Sequence, residues 1–196
     1  MKVAFTRQRL AKRVGQLGRT ISQDYKGRSL DVVVVLESSF MFAADLMRQI
    51  SRPVICHFVR AELRDIRTDG HARREVFFSV PPALRGRDVL MIDSVLNTGV
   101  TQDFLLKRLE EGRPRTLRLA VLFDKPAARK VNLQAEYAGF SAASNQLVGY
   151  GLCGERGLYG NLAFVGTVSG GAVVKKQQRV RGRASKKTVS RGRGKT

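Results

Sequence analysis

Residues 89–101, Val-Leu-Met-Ile-Asp-Ser-Val-Leu-Asn-Thr-Gly-Val-Thr, gather side-chain types suited to holding an anion. Val89 to Ile92 form an apolar run bounded by Asp88 and Asp93, the pattern of a buried strand. Asn97-Thr98-Gly99-Val100-Thr101 then turns into a helix whose apolar positions are read as Phe104, Leu105 and Leu109. Backbone N–H groups at a helix start carry partial positive charge, a glycine lets the chain pass close to a ligand, and Thr98 and Thr101 add hydroxyl donors. The stretch Asn97–Thr101 is therefore read as a phosphate cradle.

The elements around it follow the same logic. Leu10, Val14, Leu17, Ile21 and Tyr25 recur at helical spacing behind Thr6, a residue type that caps helix starts. Val32-Val33-Val34-Val35-Leu36 is a continuous apolar run, as expected of a strand covered on both faces, and Leu117 to Phe123 is another. Phe40 to Leu46 predicts a helix, and a charged connection precedes a strand expected at Glu75 to Val80.

These segments, in order, resemble type I phosphoribosyltransferases, over roughly residues 6–168 and nearest to the hypoxanthine-guanine branch. The likeness is carried by the 89–101 loop, by Phe40-Met41-Phe42-Ala43-Ala44-Asp45-Leu46, by Phe123-Asp124-Lys125-Pro126, by Tyr137-Ala138-Gly139-Phe140 and by Leu147-Val148-Gly149-Tyr150-Gly151-Leu152. It implies an α/β fold with a mostly parallel twisted sheet, helices on both faces and a small hood built from the chain ends and the region after Phe140. It also implies a homo-oligomer, a nucleotide or phosphoribosyl diphosphate-like ligand and, in an active member, Mg2+.

Residue by residue, the resemblance implies an edited site. The family pairs two acids on the ribose hydroxyls and places an Asp three residues on, beside the purine N7, for proton transfer; here these positions are Asp93, Ser94 and Asn97. Asp93 could hold a ribose hydroxyl, Ser94 removes a charge, and Asn97 cannot exchange a proton at neutral pH; Asn also suits a turn on conformational grounds alone. General acid–base catalysis contributes roughly 10²–10⁴-fold, so its loss slows turnover without erasing binding. The family's pyrophosphate loop, Leu-Lys-Gly-Gly with a non-proline cis peptide, is Leu36-Glu37-Ser38-Ser39, which puts a carboxylate where two phosphates arrive and removes both glycines. Pyrophosphate is expected to bind poorly. The mobile lid's Ser-Tyr pair falls on Leu63 and Arg64, within a segment that also reads as a plain solvated connection. In the base pocket Lys125 aligns with the lysine that donates to the purine O6, or it is a surface lysine opening a turn. Gln146, next to Leu147, replaces a stacking aromatic, Cys153 replaces an Asp, and Gly160 stands where an Arg is expected before Asn161. As a lone thiol, Cys153 reads as an apolar filler.

Composition adds what the resemblance does not. The chain has 36 Lys+Arg against 16 Asp+Glu, a net charge of +20. Ten of the cations lie after Gly171 with no acid among them: Lys175, Lys176, Arg179, Arg181, Arg183, Lys186, Lys187, Arg191, Arg193 and Lys195. Low apolar content predicts a domain at 1–169 and a disordered arm at 170–196, contacting nucleic acid non-specifically through counterion release or serving only as a solubilising tail. Arg7, Arg9, Lys12, Arg13 and Arg19 on the first helix form a second basic group. Two cysteines, Cys56 and Cys153, and two histidines, His57 and His71, give neither a disulfide framework nor a zinc signature. Without a long apolar span or a signal-peptide core, a cytoplasmic protein is expected, nucleoid or ribosome association being open.

Three functions remain open on this reading. One is an impaired phosphoribosyltransferase homologue that holds a nucleotide or phosphate, with its arm on nucleic acid. The second is an active, divergent purine phosphoribosyltransferase. The third is a nucleic-acid-associated protein with a vestigial pocket.

Overall fold

The computed structural model describes residues 1–60, 66–68, 71–73, 77–78, 82–143 and 146–168, with the backbone alone at 66–68, 71–73, 77–78 and Glu155. The lid positions Leu63 and Arg64 and the ten basic residues from Lys175 to Lys195 lie outside the described residues.

In chain order the elements are β1 (Lys2–Phe5), α1 (Arg7–Asp24), β2 (Leu30–Leu36), α2 (Phe40–Gln49), β3 (Val54–Arg60), β4 (Ile66–Thr68), β5 (His71–Arg73), β6 (Phe77–Phe78), β7 (Asp88–Leu96), α3 (Val100–Glu110), β8 (Thr116–Asp124), β9 (Tyr137–Ser141), β10 (Leu147–Val148) and β11 (Val165–Thr167). The main sheet runs β6-β3-β2-β7-β8-β9, with β3, β2, β7, β8 and β9 parallel and β6 antiparallel on β3. The expected strand at Glu75 to Val80 is thus seen as its central pair, Phe77–Phe78.

Why β2 and β7 are apolar throughout is plain from their neighbours. Val32, Val34, Leu90 and Ile92 face a layer built by α1, α2 and the hood, while Val33, Val35, Val89 and Met91 face the α3 side. Burial on both faces leaves no strand position for solvent. α1 opens at Thr6, whose side chain accepts from Arg9 N at 3.3 Å, and it buries Leu10, Val14, Leu17 and Ile21 as its spacing predicts. α3 differs from the sequence expectation: Leu105 and Leu109 are buried, but Phe104 is exposed and Gln102 takes the third inward position. Positions 102, 105 and 109 share one helical face, and Phe104 lies off it.

The hood is a three-stranded antiparallel sheet, β1-β11-β10. Phe5 of β1 locks it to the main sheet, its ring 4.9 Å from Phe123 and 4.8 Å from Phe140, in tilted contacts favoured by aromatic quadrupoles. Among the described residues no helix is long and apolar enough to cross a membrane.

Candidate functional site

β2 and β7 lie side by side at the centre of the sheet, so the loops leaving their carboxyl ends, β2 to α2 and β7 to α3, meet. Open α/β sheets bind ligands at this edge.

Strand parity decides where the acid goes. Asp93 follows Val89 and Met91 on the α3 side, and Ser94 follows Leu90 and Ile92 on the α2 side. Asp93 is buried, and both its oxygens are engaged. Oδ1 accepts from Ser39 Oγ at 2.9 Å and from Ser94 N at 2.6 Å, and Oδ2 accepts from Gln102 Nε2 at 2.7 Å. Ser39 Oγ also accepts from Ser94 N at 3.0 Å, and Ser94 Oγ donates to Ser38 O at 2.9 Å. Burial pushes the Asp93 carboxyl above its usual range, against the hydrogen bonds from Gln102, Ser39 and the backbone. Asp93 and Ser94 occupy the positions that the resemblance assigns to the ribose-binding acidic pair, the second of them without its charge. In the structure the two side chains tie the two loops together, Asp93 through Ser39 and Gln102 and Ser94 through the Ser38 carbonyl.

The phosphate loop is laid out for an anion. Gly99 caps α3 in the left-handed region at φ +81°, and the N–H groups of Val100, Thr101 and Gln102 open the helix ahead of its first internal bond, Asp103 N to Gly99 O at 2.8 Å. A Cβ at Gly99 would meet Val131 Cγ2 at 2.8 Å and Arg129 Cδ at 3.1 Å, so only glycine fits. Asn97 is exposed at the mouth of the loop; Thr98, Val100 and Thr101 are partly covered. The segment after β8 straps this loop: Arg129 Nη1 donates to Asn97 O at 2.7 Å, Lys130 N to Thr98 O at 2.9 Å and Lys125 N to Leu96 O at 2.9 Å, while Arg129 pairs with Asp124.

In the loop read as the pyrophosphate grip, the peptide bond between Leu36 and Glu37 is cis. Leu36 is in register with Arg60 on β3, and the Glu37 carboxylate meets the Arg60 guanidinium at 3.0 Å. The negative charge that the sequence reading set against phosphate is therefore balanced by a cation one strand away. Ser39, in place of a glycine, turns its hydroxyl inward to Asp93, the Ser38 carbonyl accepts from Ser94 Oγ, and the hood reaches the same loop at Gly151, φ +91°, where a Cβ would stand 2.5 Å from Ser38 O.

Among the residues read as a base pocket, Lys125 opens the 3₁₀ turn Pro126–Ala128, as its turn reading had it, and is buried rather than on the surface. Burial lowers its ammonium pKa. Leu147 is buried in β10 opposite Thr167, Gln146 is exposed, and Cys153 is exposed with its Sγ 3.7 Å from Gly151 O. Gly160 lies against that sulfur: a Cβ there would be 2.7 Å from it.

The phosphoribosyl transferase domain family matches residues 4–153. The chain belongs to this family. Its likeness is to the hypoxanthine-guanine phosphoribosyltransferases: that of Staphylococcus epidermidis is 33% identical over 153 residues, 78% of this chain and 85% of that protein. The solved hypoxanthine-guanine phosphoribosyltransferase of Bacillus anthracis superposes with a TM-score of 0.77 at 31% identity, covering 86% of this chain and 98% of that one. The hypoxanthine phosphoribosyltransferase of Trypanosoma cruzi, in complex with the product IMP, gives 0.77 at 27% identity, covering 86% and 94%.

Within this phosphoribosyltransferase framework two residues escaped the sequence reading. Gln102 carried a signal, a polar side chain at heptad spacing with Leu105 and Leu109, and a buried amide demands a partner. Arg129 carried none, since its place over Gly99 depends on the turn after β8. Among the described residues no group of three or more His, Cys, Asp or Glu stands together to hold an ion such as Mg2+, which takes hard oxygen ligands, and at the acid position Asp93 already accepts from Ser39, Ser94 and Gln102.

Proposed function

We propose that this phosphoribosyltransferase-family protein holds a purine nucleoside monophosphate, its phosphate on Asn97–Thr101 and its base toward Lys125, and turns over slowly if at all. The observation that carries the reading is the internal use of Asp93, whose two oxygens accept from Ser39, Ser94 and Gln102. A carboxylate so held has three of its roughly four acceptor sites taken by the protein, and Ser94 and Asn97 supply neither charge nor a titrating proton at neutral pH. What the loop retains is phosphate affinity, from the first-turn N–H groups, the threonine hydroxyls and the glycine-permitted approach. The arm after Gly171 adds non-specific polyanion contact by charge alone.

Asn97→Asp tests this reading. Asn97 is exposed and its backbone is fixed by Arg129, so the change restores a carboxylate at the proton-transfer position without disturbing the buried network. Phosphoribosyl diphosphate-dependent conversion of hypoxanthine should rise by at least about tenfold over the unmodified chain, toward the range that general acid–base catalysis supplies. A rate high at the outset and unmoved by the change contradicts it.

A second reading, an active and divergent purine phosphoribosyltransferase, draws support from the Glu37–Arg60 pair, which offsets the charge at the pyrophosphate loop. On that reading the unmodified chain makes nucleotide at an ordinary rate, and Arg60→Ala raises the KM for phosphoribosyl diphosphate.

A further inference from the structure

At the edge of the sheet opposite the phosphate loop, the amino ends of the central strands gather a second constellation. β7 and β8 start there from two arginine-flanked turns, Arg85-Gly86-Arg87 and Arg113-Pro114-Arg115, which are bonded to each other: Gly86 N donates to Arg113 O at 3.0 Å and Arg115 N to Arg87 O at 2.8 Å. Arg28, ahead of β2, and Arg118, in β8, flank them.

Carboxylates set from beneath fix most of these cations. Asp31 accepts from Arg87 Nε at 2.7 Å and meets His57 Nε2 at 2.9 Å; Asp88 accepts from Arg28 Nη1 at 3.3 Å and from Arg115 Nε at 3.1 Å. Asp24 pairs with Arg118 at 3.0 Å. The Asp31 and Asp88 side chains are 4% and 0% exposed, whereas that of Arg115 is 53% exposed, so the anchors are inside and the guanidinium faces outward. Arg85 and Arg113 are exposed and have no ion-pair partner among the described residues. Glu110, three residues before Arg113, is an opposing charge, and Glu111 is matched by Arg108.

We propose that this face binds the phosphodiester backbone of RNA. The inference stands apart from the nucleotide pocket and from the basic arm, and would survive the failure of either. A guanidinium presents a planar fork of donors that matches two phosphate oxygens, and one pinned by a buried carboxylate loses less rotamer freedom when it binds. Arg85 and Arg113 supply uncompensated charge, and the bonded turns fix their spacing. None of the exposed large apolar side chains among the described residues belongs to either turn, so the two turns themselves have nothing to insert into a bilayer or to stack on bases. Binding here is therefore tolerant of sequence and steep in salt.

The test is fluorescence anisotropy of a labelled oligouridylate with the full chain between about 50 and 200 mM salt, comparing the unmodified protein with Arg85→Gln/Arg113→Gln and with Arg7→Gln/Lys12→Gln on α1. Losing two phosphate contacts should flatten the plot of log K against log salt by about 1.4, at about 0.7 per contact on a single strand, with the melting temperature unchanged. The α1 variant should leave the slope within about 0.5 of the original, below the change expected for one contact. Arg85→Gln alone, at an exposed side chain, should give half the effect and serves if the double variant does not fold. An unchanged slope in the turn variants, or an equal loss in the α1 variant, overturns the assignment.

Discussion

Ser39 Oγ donates to Asp93 Oδ1 at 2.9 Å, joining two loops whose residues stand 54 apart in sequence. Through this bond the loop that opens α2 is joined to the carboxyl half of β7, and the Asp93 carboxyl is held by donors of three different residues. Replacing Ser39 by Ala leaves Asp93 Oδ1 with one donor fewer and deprives Ser94 N of a second acceptor. Unfolding in urea should show a loss of about 1–3 kcal/mol, the cost of an unsatisfied buried polar group; a change below about 0.5 kcal/mol, the range of neutral surface substitutions, would mean that the bond carries no stability.

The two buried acids at opposite ends of β7 should give opposite pH dependences. The Arg115 side chain, with Thr116 and Arg28, holds the Asp88 carboxyl below its usual range, so the unfolded chain binds more protons and stability is lost as pH falls through the folded pKa. Burial holds Asp93 above its usual range, so the folded chain keeps its proton longer and stability falls as pH rises from about 4 through the raised value. In melting-temperature profiles Asp88→Asn should flatten the acid limb. Asp93→Asn should lower the whole curve, its amide facing Gln102, yet remove the decline on the rising side. Parallel profiles for both variants would refute the assignment.

Gly99→Ala should abolish anion binding at the loop. The left-handed backbone penalises any Cβ by about 1 kcal/mol or more, and contact with Val131 and Arg129 must force the strap away. Calorimetry with IMP should show at least a tenfold loss of affinity. Retained affinity would place the phosphate elsewhere.

Ending the chain before Gly171 removes ten cations and no acid. Retention on nucleic acid should fall and its salt slope should flatten by several units, while any IMP-induced thermal shift persists. A slope that does not move would assign the contact to the folded part.

Much of this was readable from residue order. The unbroken apolar runs of β2 and β7 require a sheet covered on both faces, and Thr6 and Gly99 mark where α1 and α3 start. Alternation along β7 even places Asp93 and Ser94 on opposite faces. Their partners were not readable, because they belong to other elements: Ser38 and Ser39 to the loop after β2, Gln102 to α3. The meaning of Glu37 likewise depended on the register of β3, which sets Arg60 beside it. Apolar counting placed Phe104 in the core, and the helix instead buried Gln102 to satisfy a carboxylate. Burial of Lys125 required the strap that follows it.

The most direct measurement puts hold and turnover on one sample: IMP titrated by calorimetry into the unmodified chain, then hypoxanthine conversion assayed with phosphoribosyl diphosphate. Saturable IMP binding is expected, with conversion slower than in the Asn97→Asp variant by at least about tenfold. Rapid conversion by the unmodified chain, or no IMP binding at all, would contradict it.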